Sequence, residues 1–432
     1  MGSSSSSIVV PFLGALQASL SVLLTIAAGV VAAQTNLLSE KSSKEISKLC
    51  VRLFLPALLI VNVGSQLHLD TGIRYVPIIL YALFYNLSSM LLGWGITRVF
   101  GMPEWVTPVV AFNNTTALPL LLVQSLDATG ILGSLDESGD VIERAKSYFL
   151  VNAMVGNSLT FALGPRLLNG QEEDAPDADE EKEDQTEEEA DSELESQREE
   201  AEDANEDSSL LPNRAVRNGT RAEYEAYKQG RKYWAKLPKW AQITLDFAYQ
   251  FLNAPLIGAA IGALLGLVPA LHTAFFNEQQ EGGWANAWLT TAVKNVGDLF
   301  ATLQVIVVGV KLSQAVLRMK KGESSGNVPW VPMVTVSIIR FVVWPAISIP
   351  LIYLLATKAS VLSDDPILWF CMMLMPTGPP AMKLTALADV NGAGDEQKMS
   401  IAKFLTISYA MSPLICFAVV GSLKAAQAAV GS

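Results

Sequence analysis

FNNTTALPLLLVQSL at 112–126 and MPTGPPAMKLTALADV at 375–390 decide the fold of this chain. Each lies in a long apolar segment, 105–126 and 367–388. Each segment is broken near its centre, by NNTTALP at 113–119 and by PTGPP at 376–380. A bilayer has no water for freed peptide groups, so a broken helix at its midplane is tolerated only where it packs in protein or lines a cavity. Pro119, Pro379 and Pro380 lack N–H groups and are expected to keep the helices from healing. Two interrupted segments at corresponding places in two halves of a chain point to the binding site of a secondary transporter.

Around the two breaks the sequence is that of a membrane protein. Half of its residues are hydrophobic and the mean hydropathy is +0.33. Ten apolar stretches approach the ~20 residues that cross a hydrocarbon core. They cover 8–33, 49–67, 75–97, 105–126, 147–168, 243–269, 289–317, 331–355, 367–388 and 401–423. The expected fold is therefore an all-α polytopic membrane protein with ten transmembrane helices. Its first five-helix repeat is 1–168 and its second is 243–432. A connecting loop, 169–242, is acidic and then basic. An odd number of spans per half inverts the second half in the membrane, with broken helices 4 and 9 crossing. FLPALLIVNVGSQL at 54–67 aligns with LFATLQVIVVGVKL at 299–312, Gly64 falling on Gly309.

The net charge of −12 comes from the loop. Residues 171–210 hold 21 of the 42 acids against Lys182 and Arg198, a local −19, so the rest of the chain carries +7. That run has too little apolar surface to fold, and is expected to be a solvated linker. The stretch after it, from Arg214 to Lys239, interleaves bases with Tyr224, Tyr227, Tyr233, Trp234 and Trp240. This pattern suits a helix on an anionic leaflet. Membrane helices flank it immediately, so no nucleic-acid partner is expected. The Lys and Arg bias of the connections places the long loop in the cytosol and both termini on the lumenal or outer face. Cys50, Cys371 and Cys416 all lie in apolar stretches and imply no disulfide framework.

Catalysis is not expected. The chain has no G-x-x-x-x-G-K-[ST] phosphate loop. Its only histidines are His68 and His272, too few for a histidine-based metal or catalytic centre. GAGD at 392–395 superficially matches an intramembrane aspartyl protease signature, but its polar neighbours mark a turn. Neither metal nor cofactor is expected.

The motifs at 112–126 and 375–390 resemble the fourth and ninth helices of the auxin efflux carrier family, in particular its PIN-like branch. There an Asn-Thr-rich break also ends in Leu-Pro-Leu. The ten spans and the long central loop match too, and the resemblance covers nearly everything outside 169–242. It implies two inverted five-helix repeats, a fold shared with bile-acid symporters and sodium/proton antiporters, with the broken helices crossing at the substrate site. It further implies elevator-type alternating access, in which spans 1, 2, 6 and 7 form a homodimerising scaffold and the other six move. Small organic anions such as indole-3-acetate are the implied substrates, and the endoplasmic reticulum is the implied membrane. A sodium- or proton-coupled carrier on the same fold stays open, as does a non-transporting regulator acting through the acidic loop.

The candidate substrate-binding residues follow from half-helix chemistry. Helix N-termini carry unpaired N–H groups and roughly half a positive charge, so two converging ends make an anion site. Asn113, Asn114, Thr115, Thr116 and Pro119 form the first break; Pro376, Thr377, Gly378, Pro379 and Pro380 form the second. Lys383 lies one turn beyond, where PIN-like relatives tend to carry Asn in a PPAMN pattern; here the string is PPAMK. Lys383 reads as a counter-charge for an anion or as a proton carrier, against snorkelling or a structural salt bridge. Arg340 near the middle of its span, Asn152, Tyr409 and the pair Asp70 and Arg74 are accessory candidates. The family's auxin exporters carry a similar Asp-x-x-x-Lys, suggested to line a vestibule; a helix-end ion pair is the alternative. No carboxylate is as central as Arg340; Asp298 is the nearest candidate, its depth set by where the seventh span starts, and basic residues without deep acids favour an anionic substrate.

Overall fold

The structure is a computed structural model. It describes residues 6–67, 74–136, 140–168, 237–238, 242, 245, 254–321, 330–359, 362–381, 383–384 and 395–430. Asp70, the acidic run 171–210, nearly all of the basic stretch after it and all of GAGD but Asp395 lie outside them.

Among the described residues every element is helical. In the first half these are α1 (Ser6–Gln34), α2 (Glu40–Leu49), α3 (Leu55–Gln66), α4 (Tyr75–Phe100), α5 (Val106–Ala111), α6 (Ala117–Ala128) and α7 (Val141–Leu168). The second half holds α8 (Ala254–Leu267), α9 (Pro269–Phe276), α10 (Thr291–Lys320), α11 (Trp330–Ile338), α12 (Trp344–Thr357), α13 (Pro366–Leu374), α14 (Asp395–Ala410) and α15 (Ile415–Val430). Six described helices are long and apolar enough to cross a membrane: Val9–Gln34, Glu40–Gln66, Tyr75–Phe100, Asn286–Gln314, Trp330–Thr357 and Ser412–Val430. The bent pair α8 and α9 makes a seventh if taken as one span.

The difference from ten has physical causes. The two interrupted segments are split into α5, α6 and α13, each too short to span alone. The last expected span, 401–423, is divided by a 3₁₀ turn at Ser412–Leu414, where Pro413 cannot donate to the helix. The sixth bends by 102° where Pro269 follows Val268. Two π-helical turns, Cys50–Phe54 and Ile339–Val343, join α2 to α3 and α11 to α12. Each stands just before a proline, Pro56 or Pro345, whose missing N–H frees a carbonyl one turn back.

Burial separates two kinds of helix. All of Val106–Ala111 and all of Ile367–Leu374 are buried, so the broken segments form the core. Leu24, Leu91 and Val342, by contrast, are more than half exposed on long apolar helices. Such faces suit hydrocarbon rather than water.

Glycines bring four helices backbone to backbone. A Cβ on Gly29 of α1 would lie 2.1 Å from the Ile306 carbonyl oxygen, and one on Gly309 of α10 would lie 2.0 Å from that of Ile26. On α8, Cβ atoms at Gly258, Gly262 and Gly266 would meet Pro56, Leu59 and Leu67 backbone at 2.6, 2.9 and 2.3 Å. Small residues permit this approach in membranes, where dispersion replaces a hydrophobic driving force. Gly64 and Gly309, aligned in the sequence, therefore both sit at close helix contacts, Gly64 against α8 and Gly309 against α1.

A charged cluster fixes the start of α13. Asp365 is its N-cap, accepting from the N–H groups of Ile367 and Leu368 at 2.9 and 3.2 Å. The other carboxylate oxygen accepts from the Tyr148 hydroxyl at 2.6 Å and meets Arg144 Nη1 at 3.1 Å. Arg74 Nη1 stands 4.0 Å away. Arg144 also pairs with Asp136 and, at 3.3 Å, with Asp140. The starts of α4, α7 and α13 are thereby tied together. The carboxylate facing buried cations is Asp365; Asp298 is exposed on α10.

Two stability experiments follow. Gly309→Leu should lower thermal stability in detergent by about 1–3 kcal/mol, since backbone cannot yield to the new side chain. Gly95→Ala, where a Cβ meets nothing within 4 Å, should be neutral or slightly stabilising. Equal effects would remove the case for a close-packed seam. Asp365→Ala should cost about 3 kcal/mol, because it strands buried charge. Asp365→Asn should recover about 1 kcal/mol of that by restoring the cap. Identical unfolding temperatures for the two would show that capping contributes nothing.

Candidate functional site

The two breaks meet in the core as short extended segments. Phe112 leaves α5 with φ −112° and ψ 115°. Asn113 then pairs antiparallel with Pro380. The Asn114 N–H donates to the Pro379 carbonyl at 2.8 Å, and the Ala381 N–H donates to the Phe112 carbonyl at 3.0 Å. Gly378 makes the turn into this segment with φ +121°, a left-handed conformation that favours glycine. The crossing thus forms through backbone pairing between segments 262 or more residues apart.

Several carbonyls around the second break find donors. Cys371 accepts from Met375 N–H and Leu374 from Thr377 N–H, at 3.0 and 2.9 Å. The Ser348 hydroxyl donates to Met373 at 2.7 Å. The Asn113 amide donates to both Met375 and Thr377, at 2.9 and 3.2 Å. Pro376 receives Arg340 Nη1 at 3.0 Å, while Arg340 Nη2 reaches the Val110 carbonyl at 2.5 Å. Arg340, an accessory binding candidate on the sequence reading, is fully buried with both terminal nitrogens on carbonyls. It belongs to the frame of the crossing. The π-turn that carries it aims the side chain there.

Pro119 stands at the start of the second half-helix. It is the third residue of α6, one turn past the break, where a missing N–H costs nothing because first-turn donors have no helical partner. Phe112, Asn113 and Asn114 pair across the crossing, and Pro119 has no N–H for the Thr115 carbonyl that a continuous helix would need to satisfy.

Groups of both kinds are left over, and the Asn113 side-chain oxygen is a buried acceptor without a hydrogen-bond partner among the described residues. Thr116 N–H reaches the Asn114 side-chain oxygen at 3.3 Å. The N–H groups of Ala117 and Leu118, both buried at the start of α6, meet no acceptor among the described residues. The Thr377 hydroxyl and the Asn152 amide nitrogen are buried without a hydrogen-bond partner there as well. Asn152 accepts from the Tyr85 hydroxyl at 3.0 Å. Asn114 donates to the Tyr409 hydroxyl at 2.8 Å, tying α14 to the first break. Thr115 packs against Gly156 of α7.

Lys383 donates to the side-chain oxygen of Asn157 on α7, a neutral partner. Lys403 on α14 is a second lysine within the bundle, 4% exposed. The sequence reading passed over it, although its place two residues into an apolar stretch is a readable signal. Arg74 belongs with Asp365, away from the set that the breaks bring together. Asp365 itself was legible in DP at 365–366, an N-cap followed by the proline that favours the first helical position.

Known proteins place this arrangement. A family profile described as membrane transport protein matches residues 15–418. An uncharacterized transporter of Schizosaccharomyces pombe is 25% identical over 423 residues, 92% of this chain and 91% of its own length. Protein PIN-LIKES 5 of Arabidopsis thaliana is 23% identical over 376 residues, 84% of this chain and 85% of its own. An uncharacterized transporter of Saccharomyces cerevisiae is 26% identical over 405 residues, 86% of each chain. The protein belongs to the membrane transport protein family, that of the auxin efflux carriers, and is an integral membrane protein.

Proposed function

We propose that the protein is a secondary carrier of small organic anions, of the size and charge of indole-3-acetate, and that the anion binds at the crossing of the two breaks. One observation carries this reading. The N–H groups of Ala117 and Leu118 at the start of α6 meet no acceptor among the described residues, and the Thr377 hydroxyl of the second break has no partner there either. A site with spare donors, the Thr377 hydroxyl and the Lys383 ammonium close behind the second break attracts negative charge. A carboxylate accepts several such bonds at once.

The larger frame is proposed with it. Two inverted five-helix repeats are supported by the paired breaks and by the exchange of partners at the aligned glycines, Gly64 on α8 and Gly309 on α1. The glycine-packed helices α1, α3, α8 and α10 then correspond to a scaffold through which two copies associate. The helices around the crossing form the part that moves in an elevator cycle. The Asp365 cluster gathers the starts of α4, α7 and α13, as expected if all three begin on the face opposite the cytosol. Residence in the endoplasmic reticulum rests on the likeness to PIN-like carriers.

Reconstituted vesicles test the reading. Radiolabelled indole-3-acetate should enter, and excess unlabelled acid should compete while the neutral amide should not. Equal competition by the amide would refute anion selection. Lys383→Asn should leave the protein folded and weaken binding of the acid by about 1–3 kcal/mol, the scale of a hydrogen bond to a charged group. Unchanged affinity in that variant would remove Lys383 from the site.

A further inference from the structure

We infer that Asn157 of α7 is a positioning residue for Lys383, and that its being an amide rather than a carboxylate sets the preference for anionic over neutral substrates. Gly156 and Asn157 are consecutive, and this one turn of α7 meets both breaks. A Cβ on Gly156 would lie 3.2 Å from the Thr115 hydroxyl oxygen of the first break. Asn157, 6% exposed, accepts through Oδ1 from the Lys383 ammonium, which belongs to the half-helix beyond the second break. The turn itself is held in place. The Thr160 hydroxyl donates to the Gly156 carbonyl at 2.6 Å. Earlier on the helix, Tyr148 and Asn152 fasten α7 to Asp365 and Tyr85. The amide oxygen is therefore presented by a fixed element, as a selective site requires.

The chemistry of the pair decides what the lysine can do. An ammonium has three donors on a flexible four-carbon stem. An amide oxygen that accepts from it fixes its direction and, being uncharged, does so without cancelling its charge. Aspartate has nearly the same shape as asparagine. At this position it would form a buried ion pair and absorb the charge that an anionic ligand would otherwise meet. The same exchange separates this role from a plain tie between two helices. A tie would be kept or strengthened by aspartate, because charge-assisted hydrogen bonds are the stronger ones. Only a residue that positions the ammonium for substrate would lose selectivity while the protein keeps its stability.

The inference rests on the anion-carrier reading, and the two fail separately. In vesicles, Asn157→Asp should weaken competition by unlabelled indole-3-acetate about tenfold or more, the scale of losing a hydrogen bond to a charged group. The neutral amide should compete no worse than before. In detergent the same variant should melt no lower than wild type. In a Lys383→Asn background the exchange should instead lower the melting temperature, because the carboxylate is then stranded. An Asn157→Asp protein that keeps wild-type affinity for the acid overturns the inference and leaves the carrier reading standing. A wild type that moves no acid overturns the carrier reading, and the selectivity falls with it. The melting comparison then decides whether Asn157 positions Lys383, and equal shifts in the two backgrounds overturn that as well. Should Asn157→Asp fail to fold, Asn157→Leu takes its place, removing the acceptor at similar volume. It should cost the acid severalfold in affinity, and wild-type affinity in that variant would overturn the inference.

Discussion

Everything at the centre of this protein follows from one constraint: peptide groups removed from a helix in a dry core must find partners inside the protein. Around the second break those partners come from three directions. Backbone N–H groups close the turns, Asn113 reaches across from the first break, and Ser348 and Arg340 reach in from the eighth span. The crossing is thus a junction of three spans, and α12 and its preceding π-turn are as much a part of it as the broken helices. A change that moves one of these elements moves the others or breaks several buried hydrogen bonds together, each worth about 1 kcal/mol net and more where a charge is involved. This makes the crossing a rigid body on energetic grounds.

The remaining contacts between helices use a different chemistry. Where α1 meets α10 and α3 meets α8, glycines remove side chains and the backbones touch. Such seams are stabilised by dispersion over close surfaces and tolerate no added volume, yet they contain few directional bonds. A protein that slides one group of helices past another needs rigidity within each group more than between them. On the proposed mechanism, the seams and the crossing supply that internal rigidity by separate means. Charge, too, is kept within one group. The Asp365 cluster joins α4, α7 and α13, all on the crossing side of that division.

How much of this was legible in the sequence depended on the range of the signal. The breaks were, because proline, glycine and the Asn-Thr run override helix propensity locally. Gly64 and Gly309 were, because their neighbourhoods repeat. The roles within the crossing were not. Whether Arg340 faces a ligand or a carbonyl is decided by residues 36 and 230 positions away, and nothing near it announces either. Pro119, by contrast, was legible: a proline disrupts the turn before it, and the break lies there, while the pairing with the second half was not. Asp365 falls between these cases. Its DP signature marked a helix start, while its partners Tyr148 and Arg144 come from another half of the chain.

The charge balance of the crossing bears on what can bind there. Arg340 gives both terminal nitrogens to carbonyls of the crossing. What remains is the positive end of α6, with two N–H groups still open, and the ammonium of Lys383 resting on a neutral amide. Open donors in a region of low dielectric favour an anion. Relatives with Asn at the Lys383 position would keep the donors but lack the added charge. On that basis the lysine should narrow the choice of substrate toward full carboxylates or similar anions, where an amide would also accept polar neutral molecules. On the proposed function, Lys383 in place of the asparagine expected from the resemblance is then the residue to examine for selectivity.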